Sequence, residues 1–394
     1  GLFIGVWLIG GLYAFLGAIS LAEPGAMMAQ SGGQYVFVRR GLGEYPGFVV
    51  GWNDWISTCA TVSLGGMVFA EYLAPLVPAL AGKQVLVACA LVLLFGLLLW
   101  RGIKVGDLSQ QILSALKALA FGVLIGLCML WPVPGRESMA AQPLPAGMAM
   151  VGAIVAALQA VIYTYDGWTG PLYFGEEVKD AGRGIPRSMA LGVVLVIAIY
   201  VLVNVGMVRV LGIERMAGDP FVAATAGRAL FGAQGDTIIR LLVLLSIMSG
   251  INACLLMAPR VVLALSRDRL VPGGFGTVNQ GGTPTVGHWA TVGVALAFIL
   301  TGTVNTVLAL CAFFFVASYT LSFLSVFALR RKEPDTPRPY RVPGYPWTTG
   351  LAVVISVAFL VGSVVTDWGN SRKSLALLVL SLPAYKVICW FRAR

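Results

Sequence analysis

Eleven long apolar stretches run along this chain with short polar connections between them. They fall at about 2–28, 46–76, 84–101, 108–132, 148–177, 186–212, 236–266, 286–302, 305–329, 346–366 and 374–391. A helix needs roughly 20 apolar residues to cross a bilayer's hydrocarbon core. Barrel strands are about half that length and alternate in polarity, which these stretches do not. Backbone polar groups in lipid must be bonded within the segment, so each stretch is predicted to be a membrane-spanning helix. The fold class expected is therefore all-α integral membrane, with the lipid bilayer as solvent.

Composition agrees. Of 394 residues, 58% are apolar and 11% charged, against about 45–50% and 25% in soluble domains. The net charge of +10 does not point to nucleic acid, because the cations are scattered over short loops. Their sidedness is informative. Seventeen of the 27 Lys and Arg fall at 29–45, 101–107, 178–187, 260–285, 330–345 and the C-terminus. Eight, including Arg136, fall on the opposite side, and Lys117 and Lys386 lie inside spans. The positive-inside rule makes the first set cytoplasmic, the C-terminus with it. The membrane implied is the plasma (inner) membrane. The chain then starts outside with no signal-peptide pattern, so one further helix is predicted upstream of Gly1. The six cysteines lie within or at the ends of apolar stretches, and His288 is the sole histidine. Neither provides zinc spacing or a histidine triad, and no metal or cofactor is expected.

Polar groups deep in apolar segments are the functional candidates. Lys117 lies about ten residues into its stretch, near 15 Å at 1.5 Å per residue, too deep for its stem to reach water. Asp166 sits in Tyr163-Thr164-Tyr165-Asp166-Gly167-Trp168-Thr169-Gly170-Pro171. Two glycines and a proline so close together predict a break in the helix, and broken helices expose carbonyls and helix ends to transported substrates. The competing reading is a proline kink with a hydrogen-bonded aspartate. Asp54 reads equally as a structural hydrogen-bonding group or a functional one. Glu23 and Glu71 read as structural, Lys386 as reaching the membrane surface, and Phe313, Phe314 and Phe315 as packing.

Four landmarks carry a family resemblance. The first is Ala22-Glu23-Pro24-Gly25-Ala26 with Ser31-Gly32-Gly33-Gln34-Tyr35. The second is Tyr165-Asp166-Gly167-Trp168 with Gly175-Glu176-Glu177-Val178-Lys179 and Ile185-Pro186-Arg187. The third is Asn252 with Arg260 and Ser266-Arg267-Asp268-Arg269-Leu270-Val271-Pro272. The fourth is Arg338-Pro339-Tyr340-Arg341-Val342-Pro343-Gly344-Tyr345-Pro346-Trp347. In this order they resemble the amino acid–polyamine–organocation (APC) permeases, most of all bacterial relatives of L-type amino-acid transporters and serine/threonine exchangers.

The resemblance implies a LeuT-type fold of two inverted five-helix repeats plus two C-terminal helices. On that map residues 1–133 form the first repeat without its first helix. Residues 134–330 form the second, broken at about 163–170, and 331–394 the C-terminal pair, giving helices 2–12 of twelve. It implies a secondary transporter for amino acids, not an enzyme. The substrate amine would meet the carbonyls of Tyr163, Thr164, Tyr165 and Asp166, beside Gly167 and Trp168, with Tyr163 closing over it. Asp166 would either favour a cationic substrate or cap a half-helix starting at Gly167. Lys117 would occupy the place of a sodium ion, with Ser246, Ser249 and Asn252 as neighbours. A polyamine permease, a membrane enzyme and a truncated, non-transporting membrane protein are the other readings.

Overall fold

The computed structural model describes residues 1–130 and 146–392. The division expected at residue 133, Arg136 and Arg394 lie outside them. The described residues form thirteen α-helices and three short 3-10 segments. The helices are α1 Leu2–Met27, α2 Gln34–Leu42, α3 Glu44–Leu73, α4 Gln84–Trp100, α5 Ile103–Leu130, α6 Met148–Tyr165 and α7 Ala181–Leu211. They continue as α8 Ile213–Met216, α9 Val222–Arg267, α10 Thr285–Thr301, α11 Val304–Lys332, α12 Trp347–Thr366 and α13 Trp368–Arg392. Each apolar stretch maps onto one of them. Among the described residues nine segments are long and apolar enough to cross a membrane, while α4 and α10 are apolar but only 17 residues each.

Three details depart from the pattern of apolar stretches. The connection at 29–45 contains α2, whose ends are set by Gly33 (φ 65°) and Gly43 (φ 110°). Helix α9 begins at Val222, well before the apolar run, and kinks where Phe231 and Gly232 leave helical geometry. Gly232 has φ 66°, open to glycine at no steric penalty. Helix α7 starts at Ala181 and carries Pro186 in its second turn, where the ring removes one helical hydrogen bond, to the Gly182 carbonyl.

Helix α11 is the most enclosed, with 72% of its most apolar window buried. Around it pack α1, α3, α6 and α12, and Phe314 and Phe323 are fully inaccessible. Close approach to α1 depends on small residues. A Cβ on Gly10 would lie 2.3 Å from Val161 and one on Gly25 2.3 Å from Leu172. Small residues at helix contacts let backbones come together where lipid gives no hydrophobic drive.

The Arg-rich end of the bundle is tied by ion pairs. Glu23 is 2% exposed. It accepts from Arg330 (2.8 and 2.6 Å), from Arg338 (3.1 Å) and from the Val342 N–H (2.8 Å). The Arg330 guanidinium also lies 3.8 Å over the Tyr345 ring. One carboxylate thus joins α1, α11 and the connection before α12. Asp268 accepts from the Tyr35 hydroxyl (2.6 Å) and pairs with Arg39 (2.7 Å). Burial and the Asp268 carboxylate push the Tyr35 hydroxyl pKa well up.

Removing one partner of a buried ion pair costs about 3–5 kcal/mol. Glu23→Gln is expected to lower stability in SDS-titrated unfolding by about 3 kcal/mol. Glu71→Gln, at an exposed position, is expected to stay within about 0.5 kcal/mol.

Candidate functional site

Helix α6 stops at Tyr165. Asp166 is extended (φ −59°, ψ 152°) and Gly167 has φ 112°, a region that L side chains rarely adopt. The chain resumes as a 3-10 segment, Gly170–Glu177, with Pro171 in its first turn and Thr169 as its N-cap. The half-helix expected from Gly167 therefore begins three residues later. Asp166 ends α6 instead, and its carboxylate accepts the Tyr319 hydroxyl of α11 in a short hydrogen bond.

The break leaves backbone acceptors over. The Asp166 N–H goes to the Ile162 and Tyr163 carbonyls (3.0 and 3.2 Å). The Thr164 carbonyl accepts the Tyr200 hydroxyl at 3.1 Å. Among the described residues no hydrogen bond ends on the Tyr165 or Asp166 carbonyl. Orphan acceptors in a membrane interior are expensive unless they face a polar group or ligand.

The residues of the break border a cavity of about 960 Å³. Tyr163, Thr164, Tyr165, Asp166, Gly167 and Trp168 all line it, as do Lys117, Ser246 and Ser249. Asn252 does not. It is fully buried, donates to Gln110 (2.9 Å) and accepts from Ser109 (3.0 Å), cross-linking α5 and α9. Gln110, Ser114 and Lys117 face the cavity from α5, at the i, i+4, i+7 spacing of one helix face. No ion pair holds Lys117 among the described residues.

Aromatic rings shape the wall. Tyr163 stacks on Phe315 (6.4 Å between centroids, 18°), and Trp168 tilts against Tyr319 at 4.8 Å. Tyr165 meets Trp7 and Tyr200 edge-on. Phe315, read from sequence as packing, lies on the cavity wall as well. Two further groups escaped the sequence reading. Tyr173 and Tyr319 reach the wall from the 3-10 segment and from α11. A polar stripe of Asp54, Ser57, Thr58 and Thr61 also lines it. Its i, i+3, i+4, i+7 spacing in an otherwise apolar helix was the available signal. Tyr173 donates to both Asp54 oxygens, at 2.7 and 2.9 Å.

A second cavity, of about 640 Å³, opens at the Arg-rich end. Its arginines are matched: Arg39 with Asp268, Arg40 with Glu333 and Arg267 with Glu176. The larger cavity, with its unmatched lysine and unbonded carbonyls, is the candidate site.

Comparison with known proteins gives the family. The amino acid permease family model matches residues 1–381. The chain belongs to the amino acid permease family. This permease is 27% identical over 385 residues to the serine/threonine exchanger SteT of Bacillus subtilis, covering 96% of the chain and 86% of SteT. It is 24% identical over 388 residues to mouse b(0,+)-type amino acid transporter 1, covering 95% and 78%. With rabbit large neutral amino acids transporter small subunit 2 it shares 27% over 356 residues, covering 87% and 65%. All three are transporters or exchangers rather than enzymes, and the permease is an integral membrane protein of the APC class.

The seat of the broken segment is tight. A Cβ on Gly17 of α1 would lie 2.9 Å from the Trp168 indole. Gly17→Val is expected to displace Trp168 and cut substrate uptake at least tenfold. Size-exclusion profiles should show the chain still folded, because the close contacts fall on the ring edges of Trp168 and Phe323 (2.9 and 3.2 Å) and on no backbone atom.

Proposed function

We propose that this permease moves amino acids across the plasma membrane by alternating access, in exchange or with protons rather than with sodium. The observation that carries the reading is the break at Asp166 and Gly167, whose residues line a roomy cavity and include two carbonyls that no hydrogen bond reaches among the described residues. An ammonium group is a donor with three protons and no acceptor, so carbonyls at a helix break suit it well. Tyr163 and Trp168 supply aromatic faces, against which the rest of an amino acid packs. The substrate site is thus Tyr163, Thr164, Tyr165, Asp166, Gly167 and Trp168. The excess of Lys and Arg around α2 and the C-terminus supports a cytoplasmic placement of that end.

Lys117 carries the coupling part of the proposal. A lysine on the cavity wall with no carboxylate partner places a positive charge where a sodium ion would be repelled. Ser246 and Ser249 share the wall with it, and Asn252 fixes the α5–α9 contact beside them. One observation favours a second substrate class. Asp54 joins Asp166 on the wall, so the site carries two carboxylates, and a cationic amine is the natural counterpart.

Two measurements separate these parts. In proteoliposomes, Lys117→Ala is expected to lower uptake at least tenfold and flatten its dependence on pH. An unchanged rate and profile would remove Lys117 from coupling. Asp166→Gly, compared on neutral and cationic amino acids, is expected to shift preference at least fivefold toward neutral ones. An unchanged ratio would leave Asp166 with its structural bond to Tyr319 alone.

A further inference from the structure

The substrate cavity and the Arg-rich cavity share no lining residue, yet their linings interleave along the same three elements. At the entry to α2, Gln34 faces the first and Tyr35 the second. On the 3-10 segment Tyr173 faces the first and Glu176 the second. On α9 Met257 faces the first and Ala264 the second. A layer of side chains from these elements separates the candidate site from a vestibule at the Arg-rich face.

At the centre of that layer the Tyr173 hydroxyl sits between the two Asp54 oxygens. Tyr173 is 2% exposed and Asp54 5%. The Tyr173 ring is wedged against the chain entering α2, where a Cβ on Gly33 would lie 2.7 Å from it. A carboxylate acceptor in a water-poor interior makes this a strong bond. Two ion pairs also tie the 3-10 segment on the vestibule side. Arg267 pairs with Glu176 at 2.9 Å, with side chains 54% and 42% exposed, and an exposed pair contributes little. Arg260, 7% exposed, pairs with Glu177 and lies 4.3 Å over the Phe174 ring.

The segment is also built to move. It is 3-10 rather than α, a less stable form, and Phe174 within it leaves helical geometry. Upstream it is joined through Gly167 and Gly170, where a Cβ would meet nothing within 4 Å. On the side facing the candidate site it is held to α3 by the Tyr173–Asp54 hydrogen bond, and upstream it is joined through glycines.

We propose that Asp54 and Tyr173 form the latch of the partition. Their hydrogen bond holds the 3-10 segment against α3, and its release joins the two cavities into one path to the Arg-rich face. Asp54 and Tyr173 are positioning residues in this account and need not touch substrate. The proposal concerns access to the cavity, so it can be tested without reference to the transported molecule.

Cys254 lines the substrate cavity from α9 and serves as a native reporter. A membrane-impermeant maleimide is added to vesicles from one side at a time, and alkylation of Cys254 is followed by mass spectrometry of its peptide. Tyr173→Phe keeps the ring and removes only the donor. It is expected to raise the Cys254 rate from the Arg-rich side at least tenfold, an opening shift of about 1.4 kcal/mol, with no rise from the opposite side. Asp54→Leu, which removes the acceptor, is expected to act in the same direction. The double variant should match Tyr173→Phe within threefold, because both changes break one bond. A Tyr173→Phe rate within twofold of the unaltered chain, a rise from both sides, or multiplicative effects in the double variant would overturn the latch. If Tyr173→Phe fails to fold, Asp54→Leu alone decides by the same rates.

Discussion

In a bilayer every backbone N–H and C=O must find a partner inside the protein. The rest of this structure depends on where that constraint is relaxed. Helix α6 gives up its hydrogen-bond ladder at Tyr165, and the chain does not resume a helical ladder until Gly170. The structure absorbs part of the deficit. Tyr200 takes the Thr164 carbonyl and Tyr319 takes the Asp166 carboxylate. The carbonyls of Tyr165 and Asp166 remain without a donor among the described residues. A cavity borders them, so their desolvation is relieved by whatever enters it. The same deficit that makes the break unfavourable as structure makes it useful as a binding site.

The surroundings follow from holding such a break in place. Glycines on α1 admit Trp168 and Leu172 at distances no larger side chain allows. The most enclosed helix, α11, supplies Tyr319 and Phe315 to the wall. Far from the site, Glu23 gathers Arg330, Arg338 and the Val342 N–H. That fixes the Arg-rich ends of α1 and α11 relative to each other. Rigid elements flank a segment tied to them through a few specific side chains, Tyr173, Phe174 and Glu177 among them, an arrangement suited to motion of the segment without loss of the bundle.

Much of this was legible in the sequence, because lipid imposes long apolar runs and makes each buried polar residue conspicuous. The break at Asp166 was announced by Gly167, Gly170 and Pro171, and Lys117 by its depth. What stayed hidden depends on pairings across distant parts of the chain. Asp54 looked ambiguous because its partner, Tyr173, is 119 positions away. Phe315 looked like packing because one ring can serve the core and the cavity together. Asn252 looked like a neighbour of Lys117, and only the cross-link to Gln110 showed where its amide is spent. The early start of α9 was masked because Thr225, Gly227 and Arg228 interrupt its apolar pattern, although Ala224, Ala226 and Leu230 are buried against α5 and α7.

Substrate is expected to bind at the broken segment. The most direct measurement is a structure of the protein in lipid nanodiscs with a transported amino acid bound. The ligand is expected in the cavity of about 960 Å³, its ammonium nitrogen within hydrogen-bond distance of the Tyr165 and Asp166 carbonyls and its body against Tyr163 and Trp168. Density for the ligand elsewhere, with both carbonyls bonded to protein or water and the cavity otherwise unchanged, would contradict it.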